Sequence, residues 1–232
     1  MEELKNKVIY ITGGTKGIGL GIVQSAINHG MKVALSGRHI IDTTFHDLPK
    51  DQILIIQSDV RNAKDELNAV KQIIDQWGQL DVLVANAGVG HFAPIDQMTS
   101  EDWQSTIDTN LTGVFNSVKA AIPELKKSQG YIITLASLAG TNFFANGGAY
   151  NASKFGLVGF SQAIMLDLRP YKIKVTTIMP GSVATHFNNH IPGEKDKWKI
   201  QPEDIGQLVI DLLHMNPRTL PSKIEIRPSQ TS

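Results

Sequence analysis

Apolar positions along the chain follow two rhythms in turn. Short runs at 7–12, 32–37, 53–57, 81–85, 131–136, 174–179 and 223–226 read as strands, and 53–57 is a continuous apolar run of the kind that parallel sheets bury on both faces. Between them the apolar residues space out to a helical period: Ile22 and Ala26 after the first run, then Leu67, Val70 and Ile74 on one stripe of a helix over about 63–77. Ser100-Glu101-Asp102-Trp103 opens a long helix to about Lys127, with a bend expected at Pro123. Another runs from about Tyr150 to Arg169, where Pro170 stops it, and Pro202-Glu203-Asp204 opens a last one to about Met215. The stretch from His39 to Asp51 is polar and β-branched and contains Pro49, which predicts a short or irregular crossover. Strands alternating with helices of this length predict an α/β fold, a doubly wound parallel sheet of about seven strands with helices on both faces. No repeat, linker or low-complexity tract interrupts it, so residues 1–232 read as one domain, with 182–201 a loop inside it.

Charge and cysteine content narrow the function classes. Lys plus Arg and Asp plus Glu both number 22, so nothing in the balance points to nucleic acid or a membrane surface as partner. The chain has no cysteine, which excludes disulfides, zinc-thiolate sites and thiol catalysis and suits a reducing cytoplasm. Met1-Glu2-Glu3-Leu4-Lys5 carries acid where an export signal wants base, and no apolar run approaches the roughly 20 residues of a membrane span, so a cytoplasmic location is expected.

The first apolar run leads directly into Gly13-Gly14-Thr15-Lys16-Gly17-Ile18-Gly19 and then a helical pattern. Glycines so placed let the backbone turn tightly and approach a pyrophosphate, which the free N–H groups of the helix terminus favour. At the end of the second strand of such a fold, an acid selects a free ribose 2′-hydroxyl and a base a 2′-phosphate. Here Gly37 is followed by Arg38, and Lys16 in the glycine turn can reach the same phosphate, so NADP(H) is expected over NAD(H).

Tyr150 and Lys154 stand four apart at the start of a helix, on one face. An ordinary phenol has a pKa of about 10, and a neighbouring ammonium is expected to favour the phenolate. Ser137 follows the strand 131–136, where its hydroxyl can hold a carbonyl oxygen. Alone the Tyr–Lys pair is weak evidence and reads more readily as an exposed helical pair. His186, His190 and Glu194 can be drawn as a metal site, but loop spacing does not make them converge, so no metal is expected. Phe187, Ile191 and Trp198 read instead as the apolar side of a substrate lid.

Taken in order, Thr12-Gly13 with Gly17 and Gly19, Asn86-Ala87-Gly88, Asn110, Ser137, Tyr150 with Lys154, and Pro180-Gly181 resemble the short-chain dehydrogenase/reductase family in its compact NAD(P)-dependent, Rossmann-like form. The resemblance covers nearly the whole chain. It implies hydride transfer between a nicotinamide cofactor and a ketone or aldehyde, with Tyr150 as general acid or base and Ser137 orienting the oxygen. Lys154 would hold the nicotinamide ribose and keep Tyr150 acidic, and Asn110 would anchor a relaying water. The cofactor is then expected against Gly13, Thr15, Lys16, Gly17, Ile18, Gly19, Arg38, Asp59, Val60, Asn86, Ala87, Gly88, Tyr150, Lys154, Pro180, Gly181, Val183 and Thr185. Asp59 and Val60 would border adenine, Asn86 the adenosine side, and Thr185 the carboxamide or pyrophosphate. Departures from the family are Ala85 in place of a second asparagine, a short 182–201 loop, and the ending Arg227-Pro228-Ser229, which weakens an assignment to fatty-acid synthesis.

Two other classes use parts of this pattern. A non-catalytic NADP(H) redox sensor has no need of Asn110, Ser137, Tyr150 and Lys154 together. A sugar-nucleotide epimerase, which shares the Tyr–Lys spacing, usually adds a substantial C-terminal domain. The helices 101–127 and 150–169 are more apolar than one sheet-facing stripe needs, through Leu111, Val114, Phe115, Val118 and Ile122 and through Phe155 to Leu168. A homodimer or homotetramer through these two helices is therefore expected, with Gly156, Gly159 and Ala163 letting another backbone approach.

Overall fold

The computed structural model describes residues 4–39, 45 and 51–230. Seven strands form one parallel sheet: β1 (Val8–Thr12), β2 (Lys32–Gly37), β3 (Ile53–Gln57), β4 (Val82–Ala85), β5 (Tyr131–Leu135), β6 (Lys174–Pro180) and β7 (Lys223–Ile226), in the spatial order β3-β2-β1-β4-β5-β6-β7. The chain winds outward from β1 through β2 to β3, then returns to β4 on the other side of β1. That reversal opens a crevice beyond the carboxyl ends of β1 and β4, where open α/β sheets bind their ligands. The crossover after β2 falls largely outside the described residues; Phe45 within it is buried.

Strand side chains alternate between two cores, which explains the continuous apolar runs. Val8 and Tyr10 pack with α2 (Ala63–Trp77), α4 (Gly113–Ser128) and α5 (Gly148–Leu168) on one face. Ile9 and Ile11 pack with α1 (Gly17–Asn28) and α6 (Pro202–His214) on the other. α2 ends in Gly78 with left-handed φ of 73°, and begins with the Asn62 side chain accepting from the Lys64 N–H at 3.0 Å.

Three expectations are corrected here. The α2 stripe keeps Val70, and Ile74 packs on it half-buried, but Leu67 is 58% exposed and Glu66, Ala69 and Ile73 are buried in its place. Glu66 can take a core position because hydroxyls surround its carboxyl group. Ser58 donates to it at 2.6 Å and Tyr10 at 3.1 Å, and the phenol of Tyr10 also reaches Ser36 at 3.0 Å. Burial pushes the Glu66 carboxyl group above its ordinary range and the Tyr10 phenol well above its own.

Pro123 does not interrupt the long helix, which runs through it within residues 113–128. The helix is divided instead into α3 (Ser100–Ile107) and α4 by a π-helical turn over Asp108–Thr112. Such wide turns insert a residue into the helical ladder and collect at functional sites; here the turn carries Asn110. The residue capping α3 is Thr99, one before Ser100, its hydroxyl accepting from the Asp102 N–H at 3.0 Å.

Candidate active site

The C-terminal ends of β1 and β4 are tied together before any ligand is considered. Thr12 is buried, and its hydroxyl accepts from the N–H groups of Asn86 and Ala87 at 3.0 and 3.1 Å. Asn86 returns the contact by donating its amide to the carbonyls of Thr12 and Gly13 at 2.8 and 3.0 Å. Its side chain thus holds the glycine turn in place. Gly13 and Gly17 both lie in the left-handed region, at φ of 65° and 56°, so the turn could not be made as easily by other residues. Beyond it, the first turn of α1 has neither a side-chain cap nor an acid, whereas α2 and α3 have both. An uncapped, acid-free helix terminus at the sheet's switch point fits the phosphates of a dinucleotide.

Arg38 and Lys16 are exposed near this terminus, and among the described residues neither has an ion-pair partner. Gly37, just before Arg38, packs so close to Thr15 that a Cβ added to it would lie 3.0 Å from the Thr15 methyl group. The end of β2 and the glycine turn are therefore neighbours. Asp59, at the end of β3, is held by Arg61, whose Nε donates to it at 2.9 Å, and that hydrogen bond is the main reason its carboxyl group sits below the ordinary range. Val60 is buried, and its carbonyl accepts from Asn116 at 2.9 Å.

At the end of β5 the remaining residues come together. Ser137 lies past the strand, its hydroxyl accepting from the Ala139 N–H at 3.1 Å and donating to the Pro180 carbonyl at 3.5 Å, on the side of the Tyr150 phenol, whose ionised form it favours. Lys154, one turn along α5, is buried and donates to the Leu135 carbonyl at 2.8 Å. Asn110 is fully buried: it accepts from the Val89 N–H at 2.8 Å and donates to the Val89 carbonyl at 2.9 Å and to Ser153 at 3.0 Å. Ser153 in turn donates to the Tyr150 carbonyl at 2.8 Å. Asn110 thus clamps the loop after β4 to the turn of helix that presents Tyr150, a structural role that sequence reading left beside the relay. Gly88 lies between, where an added Cβ would meet Asn110 Oδ1 at 3.3 Å and Lys154 Nζ at 3.8 Å.

The acidity expected of Tyr150 is not what this arrangement gives. Burial pushes its phenol up, with Ser137 recovering only part of the shift. Lys154 Nζ lies 5.7 Å from the ring centroid and points its hydrogen bond at Leu135, and burial lowers its own ammonium to about 8. A protonated phenol suits a proton donor.

On the substrate side, Pro180 ends β6 and Gly181 donates to the Ile226 carbonyl at 2.8 Å. Val183 and Ile200 form a bridge that closes the base of the 182–201 loop, with the Ala184 N–H donating to Ile200 at 2.9 Å. Thr185 lies against the glycine turn, 3.4 Å from where a Cβ on Gly17 would sit. Ile18 packs half-buried on α1. His190 pairs with Asp196 at 2.9 Å, and among the described residues no cluster has metal-ligand geometry. Of the three expected lid residues, Phe187 packs on Tyr150, while Ile191 is 80% exposed and Trp198 stacks under Lys199.

A parallel sheet with an anion-ready helix terminus beyond β1 and, beyond β5, Ser137 beside the Tyr150 and Lys154 of α5 defines a dinucleotide-dependent oxidoreductase. The family model of the short chain dehydrogenases matches residues 7–196, and the chain belongs to that family. It is an NAD(P)-dependent oxidoreductase acting between CH–OH and C=O groups. A trans-4-hydroxycyclohexanecarboxylate dehydrogenase of Sinomonas cyclohexanicum is 34% identical over 194 residues, covering 79% of this chain and 75% of the relative. An uncharacterized oxidoreductase of Staphylococcus haemolyticus is 30% identical over 98% of this chain and 100% of its own. The crystal structure of an alcohol dehydrogenase from the archaeon Thermococcus sibiricus, complexed with 5-hydroxy-NADP, superposes with a TM-score of 0.91 at 26% identity, covering 98% of this chain and 99% of that one.

Proposed function

We propose that the chain is an NADPH-dependent reductase of ketones and aldehydes, running in reverse as a secondary alcohol dehydrogenase. The observation that carries this reading is the gathering of Ser137, Tyr150 and buried Lys154 beyond the end of β5. A bound nicotinamide supplies the hydride for reduction, or accepts it in reverse. Gly13, Thr15 and Gly17 to Gly19 would hold its pyrophosphate, Asp59, Val60 and Asn86 to Gly88 its adenosine, Lys154 its nicotinamide ribose, and Pro180, Gly181, Val183 and Thr185 its carboxamide side. Arg38 and Lys16 would take the 2′-phosphate. Ser137 orients the carbonyl oxygen. As the carbonyl carbon gains the hydride, the π pair moves to oxygen, and the oxygen takes the Tyr150 proton. Asn110 holds the Val89 loop and Tyr150 in register. A panel of ketones, aldehydes, oxoacyl thioesters and sugars, followed by loss of NADPH absorbance, is expected to show turnover of a carbonyl. No turnover of any of them would leave the non-catalytic sensor as the better reading.

The enzyme is further proposed to be a homodimer or homotetramer through the helices of 101–127 and 150–169. Phe115, Phe155 and Leu166 leave 44%, 44% and 58% of their surface exposed on α4 and α5, which supports an apolar contact there. Gly159 faces open space, as close approach of a second backbone requires; Gly156 does not, because it packs on Leu111 of the same chain. Light scattering at micromolar concentration should give a multiple of 25.4 kDa. A mass near 25.4 kDa across a dilution series would refute the interface.

A further inference from the structure

Three phenylalanine rings gather around Tyr150, each delivered by a different segment. Phe92, from the loop after β4, stands edge-on to the Tyr150 ring with centroids 5.4 Å apart. Phe187, from the turn after β6, lies 5.7 Å from it, and Phe92 and Phe187 are 6.4 Å apart. Phe144, from the loop leading into α5, packs on Phe92 at 5.8 Å. Each of the three keeps 36–48% of its surface exposed, so they make an open apolar wall and not a closed core. Two glycines give these rings their seats. A Cβ at Gly90 would come within 2.6 Å of Phe187 and 2.9 Å of Phe92, and one at Gly147 within 2.7 Å of Phe144.

Among the described residues, most charges flanking this wall are paired off. In the loop behind Phe187, Asp196 is shared between His190 and Lys199, and Lys197 pairs with Glu194. His91, next to Phe92, is held by Asp102 at 3.1 Å. Among the described residues, Lys154 is the one cation over the Tyr150 ring, and it donates to Leu135. Arg227, beyond β7, is paired with Glu225. A carboxylate or phosphate on the substrate would find aromatic faces where it needs a guanidinium or ammonium. A neutral ring would find edges and faces at stacking distance, with the proton donor among them.

We infer that this site takes a neutral ketone, or the matching secondary alcohol, whose carbonyl carbon bears an aryl or alicyclic ring, and that Phe92, Phe144 and Phe187 select it. The inference rests on Tyr150 being the proton donor. The full chain with NADPH is offered acetophenone, cyclohexyl methyl ketone, 2-butanone, 3-oxobutanoate and an acetoacetyl thioester, and kcat/KM is measured for each. In parallel, acetophenone binding to the chain loaded with NADP+ is measured by saturation-transfer NMR and calorimetry. The two ring ketones are expected to give the highest kcat/KM. Phe92→Ala and Phe187→Ala should each lower the ratio of acetophenone to 2-butanone about tenfold or more and weaken acetophenone binding alike. Phe92→Leu and Phe187→Leu, which keep apolar volume, should fall between the wild type and alanine and guard against a folding defect. Preference for 3-oxobutanoate or the thioester, or a ratio that none of the four variants moves, overturns the inference. If no carbonyl is reduced, the oxidoreductase reading fails separately, and the binding measurement still judges the wall: acetophenone that does not bind, or binds equally to every variant, overturns it.

Discussion

Tyr150→Phe is expected to lower turnover of a verified carbonyl by about 10²–10⁴-fold, the range that general acid catalysis supplies. The substitution removes one oxygen and leaves the ring, so the contacts with Phe92 and Phe187 survive. Cofactor affinity should change little, and kcat and kcat/KM should fall together, the signature of an interaction made in the transition state. Because burial pushes the phenol up, reduction should keep its donor through the neutral range. The reverse oxidation needs the phenolate, so its rate should rise with pH, and a pH profile in each direction checks the sign. Near wild-type reduction by Tyr150→Phe would remove the phenol from the chemistry.

The second large effect is expected at Arg38. Charge-assisted hydrogen bonds to a phosphate contribute roughly 1.5–3 kcal/mol, which converts to about 10–150-fold in affinity. Asp59 is engaged chiefly by Arg61, and Arg38 is the smallest of the influences on its carboxylate. Arg38→Asp replaces attraction by repulsion, so NADPH should bind at least that much more weakly while NADH changes little. Dissociation constants for both cofactors, in wild type and variant, decide the matter. Equal affinities in the wild type would contradict a 2′-phosphate site at Arg38 and Lys16.

The sheet was legible because both faces of its central strands are buried: Val8 to Thr12 form an unbroken buried run, alternately facing two cores. The Tyr150–Lys154 pair was legible because helical spacing alone puts the two residues on one face. Other features depend on contacts between segments distant in sequence. The break in the long helix falls at 108–112 and not at Pro123, since Asn110 must reach Val89 across the crevice, 21 positions away in the chain. The burial of Glu66 depends on Ser58, just past β3, and Tyr10 of β1, which periodicity within the helix does not show. Tyr150's acidity was misjudged because spacing puts Lys154 nearby without saying that its hydrogen bond goes to Leu135. Phe92 and Phe144 carry no local signal, as each lies in a loop and gains meaning only beside Tyr150; the glycines at 90 and 147 that seat the rings were the available clue.

Tracing the hydride tests the central claim most directly. The chain is incubated with a carbonyl from the panel and NADPH deuterated at the transferable position of the nicotinamide ring, and the alcohol is examined by mass spectrometry and NMR. The expected result is deuterium on the carbinol carbon in the wild type, with its yield cut about 10²–10⁴-fold in Tyr150→Phe at equal cofactor occupancy. Deuterium absent from that carbon, or transferred equally well without the phenol, would contradict hydride transfer to a carbonyl protonated by Tyr150.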